Sequence, residues 1–244
     1  MIKFFRKIRQ NLLMENKTGK YLKYAIGEIV LVVIGILIAL QINNWNQQKI
    51  SKSEGHKILI SLRSELKDNI IQFDSIYAYH TIRDSVLNRL IDLNPKLENF
   101  ESQDSLIKKA DWTWTFNPST GVYNSIINSG KIELVNNDEL KIKIAKLKDI
   151  MDDYIDDEII LLEYTSQHIE PLFANTFSYY MRPRTKKERA RDSIIYLNVI
   201  PSRTFQNQMI FLKYSSTGIF EEGPVLRNEF VTIIEMIDKY LETK

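Results

Sequence analysis

A chain of 244 residues with 44% hydrophobic and 26% charged residues has the composition of a folded protein, which excludes wholesale disorder. Eight Gly and six Pro are too few for a turn-rich β architecture, and the absence of Cys excludes disulfides, thiolate zinc sites and cysteine nucleophiles. The net charge of +2 is unevenly spread: residues 1–23 carry seven Lys/Arg against the single acid Glu15, so the remainder of the chain is net −4. The basic pI is therefore the property of a short tail and not a nucleic-acid footprint, and no nucleic-acid partner is expected.

The tail opens with MIKFFRKIRQNLL, in which Phe5, Ile8 and Leu12 share one helical face, with Phe4 and Leu13 beside them. Lys3, Arg6, Lys7 and Arg9 lie largely elsewhere, the pattern of a basic amphipathic helix lying on an anionic leaflet. Residues 24–45 follow as a predicted transmembrane helix. From 25 to 42 there is one charge, Glu28, and one amide, Gln41. Eighteen residues rise about 27 Å as a helix, close to the roughly 30 Å of a hydrocarbon core. Tyr21, Tyr24 and Trp45 flank the run, where interfacial aromatics belong. The alternative, a buried core helix of a soluble protein, is disfavoured because residues 29–40 are apolar on every face and the basic flank before them is strong. A cleaved signal peptide would need small residues at both cleavage positions, and Ala39-Leu40-Gln41 offers one. A retained signal-anchor fits better. Seven Lys/Arg precede the helix and four (Lys49, Lys52, Lys57, Arg63) follow within about 20 residues. The positive-inside rule then predicts a cytoplasmic N-terminus and a C-terminal domain on the far side, in a bacterium the periplasm.

Projected on a helix, Glu28, Val32, Gly35, Ala39 and Asn43 form one stripe. Gly35-x-x-x-Ala39 is a small-xxx-small pair that lets another helix approach closely, while the other faces are Ile, Leu and Val and suit lipid. A carboxylate at membrane depth is costly and normally faces protein, water or the interface. Glu28 thus has three readings: an interfacial acid reaching headgroups or Lys20 and Lys23, a hydrogen-bonding member of a packing face, or a proton carrier in an ion- or proton-coupled complex.

Beyond the membrane, residues 51–93 read as one long helix with Leu59, Leu62, Leu66, Ile70, Phe73, Tyr77 and His80 at spacings of three and four. Gly55 is its weak point and Asn94-Pro95 its end. A short helix is expected around 104–109. Asn117-Pro118 reads as a helix start, running to Ser129 with Gly130 in the C′ position. Asn136-x-x-Glu139 resembles a capping box for a helix running to about Glu170, kinked at Pro171 and continuing toward Tyr180. Residues 182–192, RPRTKKERARD, read as a charged break, with SIIYLNVI after it a helical turn or a lone strand. Residues 204–220 form a helix, Gly223-Pro224 a turn, and 224–241 a closing helix. The expected fold is mainly α: a tail (1–23), one transmembrane helix (24–45) and a helical-bundle domain (46–244).

The blocks KYLKYAIGEIVLVVIGILIALQINNWN and MIKFFRKIRQNLLMENK together resemble an uncharacterised domain-of-unknown-function family of single-pass membrane proteins in Bacteroidota-type bacteria. The resemblance covers about residues 1–50, with Gly27, Glu28, Gly35, Asn43, Asn44 and Trp45 at the family's positions, and extends more weakly to YNSIINSGKIELVNNDEL. It implies inner-membrane residence and supplies no activity.

The chain contains no G-x-G-x-x-G, P-loop, H-E-x-x-H or G-x-S-x-G, so neither a cofactor nor a metal is expected. His56, His80 and His168 are far apart and read as surface or core-edge residues. The acids of DIMDDYIDDE, Asp149 to Glu158, read with Lys141, Lys143, Lys146 and Lys148 as a solvated charged face. In the alternating run Trp112, Trp114, Phe116 an extended strand would point all three rings one way, either into the core or outward as a ligand or partner patch. The basic 182–192 segment reads as a solvated loop, with contact to phosphate groups or a charged partner as its alternative. A non-enzymatic membrane-tethered interaction or sensory module is the leading expectation. It partners the bilayer and either itself or another membrane protein. A coupled complex using Glu28 and a periplasmic small-molecule-binding domain are the alternatives.

Overall fold

The structure is a computed structural model and describes residues 18–180 and 182–242. The amphipathic reading of residues 1–17 lies outside the described residues. The chain divides into two compact units, Met1–Gly55 and His56–Lys244. Helix α1 (Thr18–Ile91) contributes to both, and Gly55 stands at the division.

In the first unit the apolar run is helical and lies on the surface. The helix over Ala25–Ile91 contains an 18-residue window of mean hydropathy 2.6, none of it buried in the chain. It is long and apolar enough to cross a membrane.

The second unit is a helical bundle, with no strand among the described residues. Its elements after α1 are α2 (Phe100–Ala110), α3 (Gly121–Asn128), α4 (Asp138–Tyr164), α5 (Glu170–Thr176), α6 (Lys186–Val199), α7 (Arg203–Tyr214) and α8 (Thr217–Glu242). The periodic positions of α1 are buried as their spacing requires: Leu59, Leu62, Leu66, Phe73, Leu87 and Leu90. On α4 the matching line is Leu140, Ile144, Leu147, Met151, Tyr154 and Leu161, and on α8 it is Ile219, Leu226, Phe230, Ile233 and Ile237. Helix α8 runs antiparallel to both α1 and α4: Arg63 pairs with Asp238 and Asp74 with Arg227, while Lys143 pairs with Glu229 and Gly218 lies against Asp157. Phe73, Phe116 and Tyr154 meet at the centre, with ring centroids 5.1–6.1 Å apart.

Four local expectations are corrected. The helix expected from Asn117-Pro118 begins at Gly121. Thr120 makes no side-chain cap, and Asn117 Nδ2 turns back to donate to Thr115 O at 3.1 Å. The cap before α4 is Asn137, which accepts from Leu140 N at 3.0 Å, one residue later than the Asn136 box. The expected charged break is mostly α6. Its first turn is closed by a capping box of Thr185 and Glu188, and the 193–200 run continues the same helix. Gly223-Pro224 is not a turn and lies inside α8, because Gly223 packs against the ring of Tyr77. Gly130 takes the left-handed conformation expected after α3, at φ 69°.

Candidate functional site

Along the apolar part of α1, Val32, Gly35, Ala39 and Asn43 are exposed and Glu28 is half-buried. A Cβ added at Gly35 would meet nothing within 4 Å. The stripe is therefore an open, shallow face of the first unit.

In the second unit the distinctive feature is the strap of residues 111–120, which carries no regular structure between α2 and α3. A strap of this kind must find partners for its buried backbone groups. Two side chains supply them, and a third serves the helix that follows. Glu158 of α4 accepts the Phe116 N–H at 2.6 Å, and its other oxygen meets His80 Nε2 at 2.9 Å. Asn69 of α1 donates to Ser119 O and accepts from Ser119 N, both at 2.8 Å. Glu65 of α1 accepts from Val122 N at 2.7 Å and Tyr123 N at 2.9 Å, capping α3 from another helix.

The Glu158 bond draws the strap inward at Phe116, whose ring is 1% exposed. Phe116 is thus core, and it separates from the two tryptophans it was grouped with. Trp114 stacks on Tyr79 with centroids 5.1 Å apart and planes 18° apart, and Trp112 meets the same ring edge-on at 6.1 Å. Tyr79, Trp112 and Trp114 are 37%, 37% and 50% exposed, so an aromatic trio faces outward above a core-anchored strap.

Polar groups lie beneath this trio. Arg83 is 3% exposed; its Nε donates to Ala110 O at 3.1 Å, and its Nη2 to Thr165 Oγ1 at 2.8 Å. The guanidinium therefore caps the C-terminus of α2, where a cation is favoured. Arg83 Nη1 and Asp111 Oδ1 are buried without a hydrogen-bond partner among the described residues. Burial brings the Arg83 pKa down to about 10, against the opposing pull of Asp111. Burial pushes the Asp111 carboxyl up, although Tyr179 donates to its other oxygen at 3.3 Å. Thr165 opens a single π-helical turn, Thr165–Ile169, a distortion that recurs at functional sites.

The segment after α5 is held by one cation. Arg184, its side chain 8% exposed, donates to both Asp104 oxygens at 2.8 Å, to Asp192 at 2.9 Å and to Ser178 O at 2.7 Å. Tyr196 O–H adds a bond to Asp104 at 2.8 Å. Burial opposes ionisation of Asp104, but the bonds from Arg184, Lys108 and Tyr196 outweigh it and hold the carboxyl below its ordinary range. The basic segment is docked at Arg184, contrary to the solvated loop expected there.

Glu158 was grouped with a solvated acidic face and is 2% exposed; His80, read as surface or core edge, is 5% exposed. The sequence does carry a signal for both. Glu158 continues the buried line Leu147, Met151, Tyr154 at a spacing of four, and His80 continues Phe73 and Ile76. The rest of the acidic run fits its reading better, with Lys148 bound to Asp152 at 2.6 Å on the surface.

These features define a helical protein with, among the described residues, one helix long and apolar enough to cross a membrane and a bundle organised around a side-chain-anchored strap. The chain belongs to DUF6090, a family of unknown function, whose profile matches residues 28–162. No curated protein and no solved structure matches it. The matched span contains the Glu28 to Asn43 stripe, Glu65, Asn69, His80, the strap and Glu158, and ends before Arg184.

Proposed function

We propose that this protein is a single-pass, membrane-anchored interaction module, non-enzymatic, that assembles through the Glu28, Val32, Gly35, Ala39 and Asn43 face of its membrane helix. The observation that carries the reading is the open surface at Gly35: nothing stands within 4 Å of an added Cβ, on a helix whose apolar window the chain itself leaves uncovered. Small residues at this spacing permit close backbone approach, and in lipid that approach is driven by packing and interhelical hydrogen bonds. Glu28 and Asn43 supply polar groups on the same stripe, and a partner helix would shield them from hydrocarbon. The excess of Lys/Arg before the helix supports an orientation with the tail in the cytoplasm and the helical unit across the inner membrane, in the periplasm, with the helix serving as a signal-anchor.

The test is the mass of the full-length protein in mild detergent or nanodiscs. A discrete multiple of 28.7 kDa, or a stoichiometric second membrane protein, is expected for the wild type. Gly35→Leu should disrupt that assembly at least as severely as Glu28→Gln. A monomeric wild type, or an assembly indifferent to Gly35→Leu, overturns the reading. Assembly kept by Glu28→Gln with loss of a transport or coupling activity would instead support proton handling at Glu28.

A further inference from the structure

An open cleft of about 460 Å³ lies between α2 and the segment leading into α6, distinct from the membrane face. Its walls are aromatic: Phe100, Trp112 and Tyr180. Its charged groups are Lys108, Lys109, Arg182, Arg184 and Arg189 against Glu101 and Asp104. Most of these cations already hold an acid. Arg189 pairs with Glu101 at 3.0 Å, Arg182 with Glu188 at 2.8 Å, and Arg184 and Lys108 share Asp104. Lys109 does not: it is half-buried and makes no ion pair among the described residues. A cation with no acid paired to it is where an incoming anion gains most, because no existing ion pair has to be broken to receive it.

The aromatic walls are fixed before any ligand arrives. The Arg184 guanidinium lies 5.3 Å from the Phe100 ring centroid and 4.9 Å from that of Tyr180, and its four bonds to Asp104, Asp192 and Ser178 hold it there. Trp112 is held by its edge contact with Tyr79 at 6.1 Å. A preorganised pocket of flat apolar faces with one uncompensated cation at the rim selects for a ligand with both a ring and an anionic group.

We propose that this cleft binds a phosphate or similar anionic oxygen group carried on a ring that packs against aromatic faces, with Lys109 at the charge and Trp112 and Phe100 at the ring. The site goes beyond the assembly reading and does not depend on it. The test uses the full-length protein in nanodiscs of uncharged lipid, with AMP and glucose 6-phosphate as probes and adenosine, glucose and inorganic phosphate as their halves, followed by calorimetry. One of the two phosphorylated rings should bind saturably, at least roughly ten-fold tighter than either half, since ring and charge each contribute on the order of a factor of ten. Which of the two binds distinguishes an aromatic ring from a sugar. Lys109→Glu and Trp112→Ala should each weaken binding by about ten-fold, whereas Lys67→Glu, on exposed α1 surface, should leave it unchanged. No saturable binding of either probe overturns the proposal. So does an affinity matched by inorganic phosphate alone, or one that Lys109→Glu and Trp112→Ala both leave intact while circular dichroism shows them folded.

Discussion

Glu65 and Glu158 are acids used as backbone acceptors. A carboxylate buried without partners would be strongly destabilising, yet Glu65 takes two backbone N–H groups and Glu158 one, donors left without a partner in the local helix or strap. Glu65 is the simpler case, because both its oxygens serve the first turn of α3. Glu65→Ala removes two charge-assisted bonds and leaves two donors short, one on the buried Tyr123. The expected cost is about 3 kcal/mol in chemical denaturation, with Glu65→Gln intermediate because it keeps one acceptor oxygen. A Glu65→Ala variant within about 0.5 kcal/mol of wild type would show that water replaces the carboxylate freely. The pairing of Glu65 with residues 57 and 58 positions away was not legible in the sequence. An acid on an apolar stripe signals burial, but its partner depends on how the strap crosses α1. For Glu158 the composition of its neighbourhood misled: five flanking acids suggest a solvated face, whereas helical phase places this one inward.

At the scale of elements, periodicity served well wherever a helix packs a long face on the core, as in α1 and α4. Punctuation served less well. Gly130 follows α3 in the left-handed conformation its position demands, its N–H bonded back to Ile127 O at 3.1 Å. Gly223-Pro224 has the composition of a turn, but tertiary packing overrides it. A Cβ at Gly223 would stand 2.4 Å from Tyr77 Cε2 and 3.4 Å from Tyr154 Cε2. Glycine is there to admit an aromatic ring against the helix axis, and Pro224 costs α8 one backbone donor without breaking it. Ala in place of Gly ordinarily gains up to about 1 kcal/mol in a helix interior. At Gly223 the sign should reverse. Tyr77 is stacked on Phe73 at 5.6 Å and set against Phe220 at 5.8 Å, so it has little room to yield. Gly223→Ala should destabilise by about 1–3 kcal/mol in thermal unfolding, as overpacking does. A stabilised variant would mean the ring moves easily. The strap was the least legible element. Its residues carry no period, and its course is set by Asn69, Glu65 and Glu158, all of them distant in sequence.

For the whole molecule, the proposed periplasmic placement of the helical unit is a question of charge balance around the apolar helix. Orientation follows the balance of Lys/Arg within about 20 residues of each end of the helix, where the chain carries seven before and four after. Acids contribute little to this balance, so Glu15 and the net −4 of the later chain do not offset it. Of the seven, Lys3, Arg6, Lys7 and Arg9 can be exchanged for Gln without touching the apolar run or the Glu28 stripe. That change leaves Lys17, Lys20 and Lys23 before the helix against four cations after it, and so removes the bias. A reporter active only outside the cytoplasm, fused after Lys244, should be active on the wild-type chain expressed in a Gram-negative host. In the four-Gln variant it should lose a large part of that activity, while a cytoplasm-active reporter at the same point gains. A wild-type fusion active only in the cytoplasmic format would place the helical unit there and remove the periplasmic reading. An orientation unmoved by the four substitutions would assign it instead to Lys17, Lys20 and Lys23 or to the folded unit itself, and the tail would then be left with surface attachment as its role.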